Sequence, residues 1–186
     1  MEIMEAISLG ADLLQTTFDV TRAINKLSPR RQCSIHITNF SDRYTLENPS
    51  FFLNNGSCLT DLPPTIQHSS SGEAVFTKTL NVIKSCAGIF TYDLLNNTMF
   101  SEKAAASFVV PFDLNRKSII YGVGIFDSSK DCSEDCFNEM LNTTNTILAW
   151  GKARGPILKH ESHNVTILAT MSDCNTSVMK LEINED

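Results

Sequence analysis

No run of about 18 consecutive apolar residues occurs in this chain, so a transmembrane helix of the ordinary kind is not expected. Basic residues are not in surplus either. Lys and Arg number 15 against 21 Asp and Glu, a net charge of −6. That balance argues against nucleic acid as the main partner, because phosphate binding needs a basic surface. Met1-Glu2-Ile3-Met4-Glu5 has neither a basic n-region nor an unbroken apolar h-region. A conventional signal peptide is therefore not expected, and the chain reads as soluble. Six sequons (Asn39, Asn55, Asn96, Asn142, Asn164 and Asn175) would matter only in the secretory pathway.

Six cysteines in 186 residues are too few for a disulfide-stapled miniprotein. Cys33, Cys86 and Cys174 stand in apolar contexts and read as small core residues. Cys132 and Cys136 have helical spacing that could supply half a metal site, but no second pair accompanies them. His160-Glu161-Ser162-His163 is one residue short of the zinc-protease HExxH and reads as a polar loop between strands. There is no GxSxG elbow, P-loop or GxGxxG, and Gly122-Val123-Gly124 reads as a closely packed strand. The expectation is a non-enzyme with no catalytic residues, metal or cofactor.

What is present is a globular composition, 42% hydrophobic and 19% charged, with no linker or internal repeat that would split the chain. One domain over 1–186 is expected, comprising an N-terminal helix (1–28) and a β-sandwich (31–186). In residues 3–27, Ile3, Ile7, Leu14 and Phe18 fall near one line, flanked by Ala6, Leu13, Val20, Ile24 and Leu27. Glu5, Asp12 and Asp19 lie largely off that stripe, and Ser28-Pro29 ends the helix. Twenty-four helical residues would reach roughly 36 Å, enough to cross a ~30 Å hydrocarbon core.

From Arg31 the period becomes two: Cys33, Ile35 and Ile37 alternate with polar neighbours. Further strands are expected at 51–53, 73–79, 85–95, 104–110, 118–126, 147–151, 164–171 and 177–183, with turns such as Asn54-Asn55-Gly56 between them. A second helix is expected at about 130–142, capped by Ser129 or Asp131, its apolar set Cys132, Cys136, Phe137, Met140 and Leu141. The fold class is mainly β, a sandwich flanked by two helices. Its central feature is a hairpin: Phe108-Val109-Val110 stops at Pro111, Phe112-Asp113-Leu114-Asn115 turns, and Ser118–Phe126 returns.

The stretch Val110-Pro111-Phe112-Asp113-Leu114-Asn115 resembles the Val-Pro-Tyr-Asp-Tyr-Asn segment of the actinoporins, the pore-forming cytolysins of sea anemones. Arg31 with its following strand to Asn39, Ala87–Leu94 and Ala169-Thr170-Met171 match in order and spacing. Tyr44-Thr45-Leu46 with Asn48-Pro49 is most similar to the actinoporin-like proteins of bony fish. The resemblance implies a secreted monomer that docks on sphingomyelin bilayers at a target-cell membrane. It then inserts its N-terminal helix and self-oligomerises into a cation-selective pore; the missing leader leaves a cytoplasmic location open. Glu5, Asp12 and Asp19 would line that pore and favour cations.

Carried over by position, the family's headgroup pocket falls on Asn54, Ala87, Val109, Pro111, Lys117, Phe137, Leu141 and Asn142, of which only Pro111 is identical. The membrane-facing loop corresponds to Phe112, Arg116 and Ile120, without the family's tryptophans. A quaternary ammonium needs aromatic faces. The substitutions therefore imply altered lipid specificity, with Arg116 and Lys117 suited to an anionic headgroup. The alternative is a non-lytic lipid-, glycan- or protein-binding module of lectin type on the same scaffold.

Overall fold

The computed structural model describes residues 31–79, 82–97, 99–142, 148–162 and 164–185. The expected N-terminal helix lies outside them, and so do Glu5, Asp12 and Asp19. Two six-stranded sheets face each other. The first contains β1 (Gln32–Asn39), β3 (Ser57–Thr60), β5 (Ser70–Thr77), β10 (Leu158–Glu161), β11 (Val165–Met171) and β12 (Thr176–Glu185), in the order β10-β11-β12-β1-β5-β3. The second contains β2 (Thr45–Asn55), β4 (Thr65–Ile66), β6 (Cys86–Asn96), β7 (Met99–Val110), β8 (Ile120–Asp127) and β9 (Ala149–Lys152), in the order β4-β2-β6-β7-β8-β9. One pairing is parallel, β1 with β12, and it places the first described strand beside the last.

Period-two alternation builds the core. Cys33, Ile35 and Ile37 of β1 point inward and are fully buried, while Ser34, His36 and Thr38 are half-exposed on the outer face. Against them pack Phe76, Phe90, Tyr92, Phe108 and Tyr121 from both sheets. Burial along β6 is nearly continuous, because its outward residues Ala87 and Ile89 are covered as well. Their cover is a single short helix, α1 (Glu134–Met140), which seats Cys136, Phe137 and Met140 on the outer face of the second sheet.

The helix starts later than the sequence suggests. Asp127 Oδ1 accepts from both the backbone N–H and the hydroxyl of Ser129, at 2.9 and 2.6 Å, which closes a turn. Ser129 is thus engaged, and Ser133 becomes the cap, accepting from Cys136 N–H with Glu134 and Asp135 in the first turn. Among the described residues one flanking helix is therefore observed, shorter than the expected 130–142; the other expected helix lies outside them.

Other departures have local causes. The second strand runs through Asn48-Pro49, because a bulge between Glu47 and Ser50 accommodates the proline and Asn48 takes a left-handed φ of 49°. Asn48 Nδ2 donates to Asp93 at 3.0 Å. His160-Glu161 is not loop but part of β10, whose four residues are too few to show a period. Cys174 is exposed rather than core, since it sits in the turn between β11 and β12. Cys33 and Cys86 are buried, and burial pushes both thiols up, Cys86 to about 12.

Two glycines are required by close approach. Gly56 turns the chain from one sheet to the other at φ 121°, where an added Cβ would lie 2.6 Å from the Thr77 carbonyl oxygen. Gly88 pairs with Leu53, and its Cβ would lie 2.6 Å from the Phe52 carbonyl oxygen. Gly88→Ala is expected to cost about 1–3 kcal/mol through overpacking. At roughly 2–4 °C per kcal/mol that is a thermal midpoint lower by about 2–12 °C, read by circular dichroism.

Candidate functional site

The β7–β8 hairpin ends in the loop 111–119, and three devices hold it. The Asp113 carboxylate accepts from Asn115 N–H at 2.9 Å, while the Asp113 carbonyl accepts from Arg116 and Lys117 N–H at 3.3 and 3.0 Å. The Arg31 guanidinium donates through Nε to the carbonyls of Pro111 at 3.0 Å and Phe112 at 2.8 Å, and through Nη2 to Phe112. The same guanidinium lies 5.4 Å from the centre of the Phe112 ring, a cation–π distance. Arg31 thus stitches the loop to the start of the first sheet.

Beside the loop lies a shallow depression of about 280 Å³ walled by Ile83, Lys84, Val109, Pro111, Phe112 and Lys117. Its apolar rim is unusually wet: Ile83 is 79% exposed and Phe112 41%. Charge gathers here too. The described loops of this end, together with Arg31, carry Arg31, Lys78, Lys84, Arg116, Lys117, Lys152 and Arg154 against only Asp113 and Asp173. Asp173 pairs with Arg154, and Asp113 lies 3.5 Å from Arg116. Lys84, Lys117 and Lys152 make no ion pair among the described residues. A chain of net charge −6 therefore presents one basic end.

The positions singled out from sequence fall into two adjoining groups. Val109, Pro111 and Lys117 line the depression. Ala87, Phe137 and Leu141 pack with Val109 under α1, with Ala87 2% and Phe137 5% exposed and the Phe137 ring 6.3 Å from that of Phe52. Asn54 and Asn142 are exposed. Phe112 and Arg116 are exposed on the loop, whereas Ile120 is half-buried as the first residue of β8, paired with Val109 and Lys152. Ile83 and Lys84 belong to the same surface, and their only sequence signal is the short apolar run Val82-Ile83 ending in a lysine.

No tyrosine ring is exposed at this end. Tyr44, Tyr92 and Tyr121, the three tyrosines of the chain, are 4%, 2% and 1% exposed, and the hydroxyls of Tyr92 and Tyr121 donate to the Pro63 and Ala169 carbonyls. The lone Trp150 is half-buried on β9, opposite Gly122. Cys132 donates weakly to the Ile89 carbonyl and Cys136 is buried, its thiol raised by that burial to about 11. Among the described residues no three His, Cys, Asp or Glu cluster as a metal site would need.

No protein-family model matches the chain, and no curated protein sequence matches it. Among solved structures, the lipid-binding protein Nakanori aligns with a TM-score of 0.67 at 13% identity, over 91% of this chain and 78% of that one. IP-1A from Alcaligenes faecalis aligns at 0.44 with 9% identity, over 86% and 94% of the two chains. The Xerocomus chrysenteron lectin XCL aligns at 0.44 with 6% identity, over 84% and 97%. At these identities the likeness to Nakanori speaks for a shared sandwich fold.

Proposed function

We propose that this chain is a membrane-surface binding module that docks through the loop 111–119 end on bilayers containing anionic lipid. The observation that carries this reading is exposed Ile83 and Phe112 beside Lys84, Lys117 and Lys152, which make no ion pair among the described residues, at one end of an acidic protein. Each cation near an anionic surface contributes about 1 kcal/mol, so three supply roughly a hundredfold in affinity. The two apolar side chains add partial insertion into the interface. Nakanori, which shares the fold, is described as lipid-binding, and that supports the class of ligand.

Phosphocholine fits this end poorly, since every tyrosine is sealed in the core and Phe137 is already packed by Phe52. The actinoporin reading, with its division into a helix at 1–28 and a sandwich at 31–186, rests on the motif resemblance and belongs to this proposal. So does the second reading, a pore formed by self-oligomerisation. It is favoured by the apolar stripe of residues 3–27 with Glu5, Asp12 and Asp19 beside it.

One experiment tests both readings: sedimentation and dye release with vesicles of phosphatidylcholine alone, with sphingomyelin, and with phosphatidylserine. Binding at least tenfold tighter to phosphatidylserine vesicles, weakening as salt is raised, is expected. Equal binding to all three, or preference for sphingomyelin, would overturn the anionic reading. Dye release accompanying binding supports the pore; binding without release leaves a non-lytic module.

A further inference from the structure

At the opposite end of the sandwich lies an open cleft of about 530 Å³, within the ~300–1,000 Å³ usual for small-ligand sites. Asp42, Arg43, His68, Asn96, Asn97 and Glu185 line it, brought from four separate segments. We propose that it is a binding site for a neutral saccharide, a site independent of the lipid-docking end.

The lining is held from behind by buried polar groups. Asn39, fully buried, donates through its amide to the carbonyls of Tyr44 (2.7 Å) and Gln67 (3.2 Å) and accepts from Ser41 N–H at 3.1 Å. It thereby ties the 40–44 turn to the segment bearing His68. Ser41, also fully buried, donates its hydroxyl to Glu185 Oε2 at 2.9 Å and accepts from Tyr44 N–H at 3.0 Å. Arg43 N–H reaches the same carboxylate oxygen at 3.0 Å. One Glu185 oxygen is thus anchored, and the residue lines the cleft. The His68 ring is fixed at both nitrogens. Nδ1 stands 3.3 Å from the Ser41 carbonyl, which can only accept, so Nε2 takes the Thr45 hydroxyl at 3.2 Å. Asn97 takes a left-handed φ of 56°, a conformation asparagine tolerates.

What remains for a ligand is a mixed set: carboxylate acceptors on Asp42 and Glu185, guanidinium donors on Arg43, and two amides that do both. Arg43 makes no ion pair among the described residues. The mixture selects by exclusion. A phosphate or sulfate would face two carboxylates. A metal ion would face a guanidinium, and His68 has no nitrogen to spare. A neutral polyol, whose every hydroxyl donates and accepts, satisfies both signs at once.

The test is chemical-shift titration of the ¹⁵N-labelled full chain with glucose, galactose, N-acetylglucosamine and lactose. Saturable shifts confined to 42–45, 68, 96–97 and 185 are expected for at least one sugar. Affinity should fall at least tenfold in Asp42→Ala and in Arg43→Ala, both exposed side chains, and stay unchanged in Lys84→Ala. Asn96→Ala provides a third variant should either of the first two lower the thermal midpoint. Absence of saturable shifts with all four sugars overturns the proposal. So does binding that survives all three cavity substitutions, or binding that is lost in Lys84→Ala.

Discussion

The double charge reversal Lys84→Glu/Lys117→Glu is expected to weaken binding to phosphatidylserine vesicles by about three orders of magnitude. Each reversal removes about 1 kcal/mol of attraction and adds a similar repulsion, roughly 4 kcal/mol in all. Neither lysine makes an ion pair among the described residues, and Lys117 stands in solvent, so the fold should be indifferent. The thermal midpoint should change by no more than ~1–2 °C. Phe112→Ala serves as the contrast. It should weaken binding about tenfold, as expected for a ring that inserts only in part, while leaving the salt dependence as steep as before. Unchanged binding in the double variant, with its fold intact, would place lipid contact on another face.

The largest effect on stability is expected at Asn39. Asn39→Asp keeps the shape but replaces an amide donor by an acid at a site with no solvent. The Tyr44, Gln67 and Ile66 carbonyls, at 2.7, 3.2 and 3.4 Å, then lose their shared donor. Leaving buried acceptors unpaired costs about 1–3 kcal/mol each, so a loss of roughly 4 kcal/mol or more at neutral pH follows. The thermal midpoint should fall by about 8–16 °C.

The pH dependence has a definite sign. A buried carboxyl facing carbonyls is protonated more readily in the folded than in the unfolded chain, so its folded pKa stands above the unfolded value of about 3.9. Above that value the folded state binds more protons, and stability falls as pH rises, by up to ~1.4 kcal/mol per unit. Acid should therefore partly rescue the variant, the reverse of ordinary acid denaturation. Thermal melts at pH 4 and pH 7 check it: a variant no less stable at pH 7 would show that the amide is not the hub of the 40–44 turn.

Where one physical signal dominated, the sequence was readable. The alternation of Cys33, Ile35 and Ile37 places β1 correctly, and Pro111 ends β7 where a residue without an N–H must. Where two signals compete, the reading slips. Ser129 satisfies the pattern of a helix cap, yet Asp127 sits two residues before it and takes its N–H first. The core expectation for Cys174 fails because it stands among Ser172, Asp173, Asn175 and Thr176 in a turn, where its thiol donates to the Thr176 carbonyl. The basic end was half legible. Arg116 and Lys117 announce themselves, but Lys84, Lys152 and Arg154 join them only after two further connections, β5–β6 and β9–β10, are folded against the loop. The polar cleft left no trace, because it is assembled from two loops and the ends of two strands, none distinctive by itself. The Asn39 sequon is the opposite case: a plain surface signal that folding buries, so a folded chain carries no glycan there.

The parallel pairing of β1 with β12 sets a schedule for synthesis. Gln32 to Asn39 align with Thr176 to Ile183, so the centre of the first sheet stays unfilled until Ile183, about 150 residues downstream of Gln32, has left the ribosome. Until then β1 and its partner β5 present a bare strand edge, the kind of surface on which nascent chains aggregate. Contacts between such distant positions carry a high loop-closure cost, which makes folding late and slow. A transcript truncated ahead of β12 would yield a product without a finished first sheet, and one prone to capture by chaperones.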